Sequence, residues 1–447
     1  MHISLSEHFS FRKLLRFTFP SIVMMIFTSI YGVVDGLFVS NFVGKTPFAA
    51  INLIWPFLQI LMCGGFMLGA GGTALVSKTM GEGDGDKANR YFSLMVLATV
   101  VLGVCITIPG IIFIEPVAVL LGADEAMLPY CVTYGRIILV AQTAFMLQAL
   151  FQSFLVTAER PTLGLLVTVG AGVTNMLLDF LFIAVLDWGL VGAAMATTLS
   201  QVVGGVVPLV YFLLPNPSPL RLKWPRLGLR AGARALLRAL TNGSSELMTN
   251  ISMSLVSMLY NYQLMRLAGE DGIAAFGVMM YISFVFVSVF LGYAMGSAPI
   301  VGYHYGANNR TELKSLLRKS LILTSVAGGG MLVLATLLAT PLSGIFVGYD
   351  PALYELTRRG FCLYALAFLP AGFSIFGSAF FTALGNGGVS AAVSFLRTLV
   401  FQVAAVLILP ALLGIDGVWL AGAAAEVLAT LVSAGFLVGL RRRYGYF

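Results

Sequence analysis

Charge is scarce in this sequence. Only 10% of its 447 residues are Asp, Glu, Lys or Arg, against about 25% in a soluble domain. Histidine is scarcer still, with His2, His8 and His304 alone, and the four cysteines (Cys63, Cys105, Cys131, Cys362) are dispersed. No pair has metal-ligand spacing, which argues against a structural metal site or a disulfide framework. "GGFMLGAGG" at Gly64–Gly72 mimics a nucleotide loop, but it lies inside an apolar run, where small residues serve close helix packing. "GEGDGDKA" at Gly81 lacks the spacing and terminal glutamate of a calcium loop. An intramembrane enzyme would need a nucleophile with its base, or metal-ligand spacing, inside the spans, so a non-enzyme is expected.

What the chain has in abundance is oil: 59% of its residues are hydrophobic. Runs of about 20 apolar residues, the length that crosses a bilayer as a helix, predict about twelve spans. The first six are roughly Leu14–Ser40, Ala49–Ser77, Tyr91–Ile114, Tyr130–Val156, Thr162–Val185 and Leu190–Leu214. The second six are roughly Ala239–Leu264, Ile273–Gly302, Leu316–Leu338, Thr357–Leu384, Ser390–Leu412 and Val418–Leu440. The expected class is an all-α polytopic membrane protein.

The net charge of +7 does not gather into one nucleic-acid patch. With the amino terminus taken as cytoplasmic, one side holds Arg12, Lys13, Arg16, Lys78, Lys87, Arg90, Arg160, the loop from Arg221 to Arg238, Arg310 to Lys319, and Arg441 to Arg443. The other side holds only Lys45, Arg136, Arg266, Arg358 and Arg359. Lys and Arg concentrate on the cytoplasmic side, so both termini are expected there. The opening "MHISLSEHFSFRKLLRF" reads as a cytoplasmic tail leading into the first span, with no small-residue cleavage site of a signal peptide. Residues 215–238 read as a cytoplasmic basic linker between an amino-terminal lobe (1–214) and a carboxy-terminal lobe (239–447).

The two halves resemble each other. "GEGDGDKANR" at Gly81 pairs with "GANNRTELKS" at Gly306, "EPVAVLLGADEAML" at Glu115 with "TPLSGIFVGYDPALY" at Thr340, and "WGLVG" at Trp188 with "LGIDG" at Leu413. Each pair is displaced by 225 residues, which argues for duplication. Each half has an even number of spans, so the copies run parallel, a plan in which substrate is handled between the lobes. Residues present in one copy alone then stand out. Asp35, Asn175, Asp179 and Thr197 fall opposite Tyr260, Val400, Ala404 and Gly422, none of which keeps the polar partner.

Asn175 and Asp179 lie four apart, on one face of the fifth span. An ionisable group at bilayer depth is costly and marks an ion or substrate path. Two carboxylates in low dielectric cannot both stay ionised cheaply, so Asp35 and Asp179 form a candidate proton acceptor; with amide and hydroxyl oxygens added, the set also suits a hard cation such as Na⁺. The ordinary alternative is a helix-packing hydrogen-bond network. In the carboxy-terminal half, Arg397 can pair with Glu246 or Glu426, the remaining acid being left to face a cavity and attract a cationic substrate; Glu246 is the preferred candidate. Met253, Met258, Met279, Met280, Phe284 and Phe286 suggest an adaptable pocket lining.

These features together resemble the multidrug and toxic compound extrusion (MATE) transporters over essentially the whole chain. The matching pieces are Pro20 in "FTFPSIVMMIFTSIYGVVDGLFV" with Asp35 fifteen residues later, "ERP" opening the fifth span, "NMLLD" within it, "GLVGAAMATTLSQ" in the sixth, and the duplicated twelve-helix plan. The resemblance implies a V-shaped pair of six-helix lobes in the inner membrane that exports lipophilic, often cationic organic compounds in exchange for H⁺ or Na⁺. It implies no other cofactor and a coupling-ion site at Asp35, Asn175, Asp179 and Thr197, with Pro20 as the point where the first helix bends. Some members carry a carboxylate in the tenth span; here "GFCLYALAFLPAGFSIFGSAFFTAL" has none. The expected partners are small organic molecules and the bilayer, with no nucleic acid, and the monomer is expected to suffice. The alternative is a flippase for a lipid-linked precursor, which needs a cluster of cations facing the central cavity.

Overall fold

The computed structural model describes residues 3–224, 227–348 and 350–446, except the side chains of Leu37, Ser40, Asn41 and Lys45. His2 and the Lys45 side chain, named above, lie outside the described residues. The described chain is helical throughout. The amino-terminal half forms α1 (Phe11–Phe42), α2 (Lys45–Gly81), α3 (Gly85–Leu120), α4 (Leu128–Val140), α5 (Gln142–Thr157), α6 (Pro161–Asp179) and α7 (Gly189–Leu213). A connecting helix α8 (Leu229–Asn242) precedes α9 (Ser244–Gly306), α10 (Arg310–Val347), α11 (Pro351–Tyr364), α12 (Phe368–Ala383), α13 (Gly387–Phe395), α14 (Phe401–Leu413), α15 (Ile415–Gly439) and the short α16 (Arg441–Tyr444).

Ten of the described helices are long and apolar enough to cross a membrane, and the α4–α5 pair, bent by 56°, makes an eleventh crossing. α9 supplies the twelfth. Its 63 residues would extend about 95 Å at 1.5 Å per residue, three times a hydrocarbon core of about 30 Å. Gly269 breaks it with φ 63° and ψ −146°, a conformation open to glycine and strained for other residues. α9 therefore crosses, turns and crosses back, matching the seventh and eighth predicted spans. Within the linker, residues from Leu229 onward form α8, which packs on α2 and α3.

Local sequence sets the helix starts. Asp84 Oδ1 accepts from the Lys87 N–H at 3.0 Å, and Asn309 Oδ1 accepts from the Glu312 N–H at 3.1 Å. These N-caps stand 225 residues apart, the displacement of the loops. Pro161 and Pro351 begin α6 and α11, where their missing N–H costs nothing. α1 runs unbroken through Pro20.

The lobes meet at the end that carries both termini, and the contacts there obey a pseudo-two-fold axis. A Cβ added to Gly81 would lie 1.9 Å from the Tyr303 carbonyl oxygen, and one on Gly306 would lie 1.9 Å from the Lys78 carbonyl oxygen. Gly81 and Gly306, like Lys78 and Tyr303, are repeat partners. Gly71 against Gly243, and Gly296 against Thr18, form a second reciprocal set. Farther along α1, Gly32 and Gly36 have no neighbouring atom within 4 Å of an added Cβ, so the tight inter-lobe packing fades away from the terminal end.

An amino-terminal strap crosses the closed end. Ser4 Oγ and the Leu5 N–H donate to Glu159 Oε1 of the amino-terminal lobe at 2.8 and 2.7 Å. The Phe9 N–H donates to Glu312 Oε1 of α10 at 2.9 Å, and His8 Nδ1 lies 2.6 Å from Glu312 Oε2. Leu5, Phe9, Phe17 and Val156 share one core with Ile300, Leu313, Phe376 and Tyr446, so apolar burial also ties the lobes at this end.

Candidate functional site

α1 packs along α6, which brings two distant carboxylates together. Asp35 approaches Asp179 and Asn175. Asn175 and Asp179 are 2% and 0% exposed, and α6 passes into a π-turn, Phe180–Val185, directly after Asp179. Such turns recur at functional sites. Asp179 Oδ1 and Oδ2, Asp35 Oδ1 and Asn175 Nδ2 are buried, yet none makes a hydrogen bond of good geometry. Two carboxyl groups bond to each other only through a proton that one of them carries, because ionised carboxylates only accept, and the Asn175 amide donor is left unused beside them. A proton on either acid would make that bond, and a hard cation would bind the same oxygens. The residues therefore fit the coupling ion that the resemblance implies.

Thr197 is half-buried on α7, which packs on α6 and touches α1; its hydroxyl is not among the buried unpaired atoms. Two tyrosines belong to this neighbourhood without having been foreseen. Tyr31 of α1 feels the charge of Asp35, and Tyr134 of α4, 3% exposed, feels both acids. Tyr31 precedes Asp35 by one turn, a spacing visible in the chain. Nothing local links Tyr134 to either acid.

The carboxy-terminal lobe resolves its own ambiguity. Arg397 Nε donates to Glu426 Oε1 and Oε2 at 2.8 and 3.0 Å, and Ser374 Oγ donates to Oε2 at 2.6 Å. Arg397 is thus the partner of Glu426, and it too lies in a π-turn, Leu396–Val400. Glu246 remains half-buried in the first turn of α9; its carboxylate has no hydrogen bond or ion pair among the described residues, and Cys63 of the other lobe is close enough to feel its charge. About four turns farther along α9, Tyr260 Oη donates to Gln402 Oε1 at 3.0 Å. The methionine and phenylalanine set does not act as one lining: Met279 and Phe286 are buried in the core, whereas Met253, Met258 and Phe284 are exposed. No cluster of three or more His, Cys, Asp or Glu side chains suited to a metal occurs among the described residues.

Two six-helix lobes in parallel repeat, joined at one end and holding polar clusters at membrane depth, define the class of a polytopic membrane transporter. The MatE family model matches residues 20–181 and 247–408, and the chain belongs to this family. The two matches cover both halves of the repeat.

The chain is 22% identical over 440 residues to the multidrug export protein MepA of Staphylococcus saprophyticus, covering 97% of this chain and 94% of that protein. It is also 22% identical over 444 residues to MepA of Staphylococcus aureus strain MRSA252, with the same coverage. Among solved structures, a MATE protein in complex with MaL6 superposes with a TM-score of 0.91 at 23% identity, covering 98% of this chain and 97% of that one. The outward-facing conformation of a multidrug resistance MATE family transporter of the MOP superfamily gives the same score, identity and coverage. These likenesses establish the fold.

Proposed function

We propose that the protein is a secondary antiporter that exports lipophilic, often cationic organic compounds in exchange for H⁺ or Na⁺ by alternating access. The observation that carries this reading is the buried group Asp35, Asn175 and Asp179, confined to one lobe, with carboxyl oxygens that make no hydrogen bond. The coupling ion supplies the positive charge that this group lacks; Asp35, Asn175 and Asp179 hold it, with Thr197 available from α7. Both termini and the closed end face the cytoplasm of the inner membrane, as the concentration of Lys and Arg there supports. Glu246 offers an unpaired carboxylate for a cationic substrate. Pro20, which leaves the carbonyl one turn earlier without its helical donor, is where α1 yields as the lobes exchange. Coupling arises because ion and substrate differ in affinity between the two states. One chain supplies the whole machinery, as a monomer. The names of the MepA relatives support organic compounds as cargo.

The test is export of a fluorescent organic cation from liposomes under an imposed pH or Na⁺ gradient, comparing wild type with Asp179→Asn. Gradient-driven export lost in the variant supports coupling at the cluster, and the effective gradient names the ion. Undiminished export removes Asp179 from that role. The flippase alternative needs free cations inside the lobes, and Arg397, its best candidate, is engaged by Glu426.

A further inference from the structure

The closed end of the lobes holds a cleft of about 570 Å³ that the antiport reading does not use. Its lining includes Lys78 of α2, Arg238 of α8 and Arg443 of α16, together with Asn242, Tyr305 and the first turn of α13 at Gly387. Three cations thus converge from the amino-terminal lobe, the connecting helix and the carboxy-terminal tail, and no carboxylate lines the cleft. Lys78 has only a loose ion pair, 3.8 Å to Glu82, both side chains being 41% exposed, and it lies over the Tyr305 ring at 5.3 Å. Arg443 lies over Tyr444 at 5.6 Å. The Arg238 guanidinium has no hydrogen bond or ion pair among the described residues. Like charges gathered in a partly enclosed space repel, and an anion placed among them relieves the repulsion.

Two further features point to the same chemistry. Asn242 is 6% exposed; its Nδ2 donates to the Thr382 carbonyl at 2.7 Å, while its buried Oδ1 has no partner. That acceptor suits a hydroxyl carried beside a phosphate, either the alcohol of a headgroup or the P–OH of free phosphate. At the start of α13 the Asn386 side chain takes the Val389 N–H at 3.3 Å, and the Gly387 and Gly388 N–H groups have no intrahelical acceptor, which favours an anion at that end. The cleft is also placed for a lipid. α8 presents Arg230, Arg234 and Arg238 at successive helical turns, all exposed, and Leu229 and Leu237 are 90% and 62% exposed. A basic amphipathic helix of this kind lies at headgroup depth and draws anionic lipids.

We propose that this cleft binds a phosphate-bearing anion, carried by an anionic phospholipid headgroup or free in solution, whose charge is shared by Lys78, Arg238 and Arg443. Because the three cations belong to different parts of the chain, the bound anion links the lobes across their closed end and stabilises this conformation.

Thermal unfolding of the purified full-length protein, titrated with phosphatidylglycerol in mixed micelles, with inorganic phosphate and with phosphatidylcholine, tests the site. The wild type is compared with Arg238→Gln/Arg443→Gln and with the charge-conserving Arg238→Lys/Arg443→Lys; the single Arg238→Gln, on the exposed face of α8, serves if the double variant does not fold. An anion that raises the midpoint of wild type and of the Lys variant should require about 25-fold more ligand in the double Gln variant, about fivefold per charge removed. A response to phosphatidylglycerol alone assigns the anion to lipid, and a response to phosphate alone assigns it to solution. The proposal falls if neither anion shifts the midpoint, if phosphatidylcholine shifts it equally, or if wild type and Gln variants titrate alike.

Discussion

The amino-terminal strap makes a quantitative demand on the closed end. Glu312→Ala removes the acceptor of the buried Phe9 N–H and the partner of His8. A hydrogen bond to a charged group contributes about 1.5–3 kcal/mol. The His8 contact adds little, because that side chain is 71% exposed and its ion pair is screened. Opening the lobes at this end rehydrates the same groups, so the variant should lower the free energy of opening by about 2 kcal/mol, or about 25-fold in the equilibrium at about 1.4 kcal/mol per tenfold. Ser77 reports on it: the side chain is fully buried, and a Cβ on Gly302 of the opposite lobe would stand 2.2 Å from its Oγ. With Cys63, Cys105, Cys131 and Cys362 replaced by Ala, Ser77→Cys should react with a maleimide about 25-fold faster in the Glu312→Ala background. An unchanged labelling rate in a folded, monodisperse variant would refute the clamp.

Other perturbations separate coupling, closure and stability. Asp179→Asn should lower gradient-driven export in liposomes by tenfold or more while substrate affinity, measured by equilibrium binding, stays within a few-fold. Gly306→Leu places side-chain atoms where the Lys78 carbonyl stands, so it should hold the terminal end apart; inter-lobe distances from spin labels should lengthen, and an undisturbed distribution would count against the packing argument. Arg397→Met leaves Glu426, whose side chain is 9% exposed, charged and unpaired, at a cost of about 3–5 kcal/mol. Its unfolding midpoint should fall and largely recover in Arg397→Met/Glu426→Leu; a double variant no more stable than the single one would contradict the pairing.

Much of the architecture is legible in the chain because bilayer physics is one-dimensional. A helix must be apolar for about 20 residues to cross, so run length reveals spans and run ends reveal Lys and Arg. The matching N-caps Asp84 and Asn309 and the reciprocal Gly81 and Gly306 follow from duplication, which repeats local code at a constant interval. One reading needed correction. The methionine and phenylalanine set was grouped by composition, but which face each residue presents depends on neighbouring helices.

By itself, the sequence determined that this chain crosses a membrane about twelve times in two parallel copies, and that its Asp35 and Asp179 carboxylates have no acidic counterpart in the second copy. Those properties depend on local hydrophobicity and on residue identity at repeated intervals. Only the tertiary structure decided that Asp35 approaches Asp179, that Tyr134 lies in their neighbourhood, that Arg397 pairs with Glu426 and not Glu246, and that Lys78, Arg238 and Arg443 share one cleft. These contacts join residues far apart in the chain, and helix packing in three dimensions sets their distances.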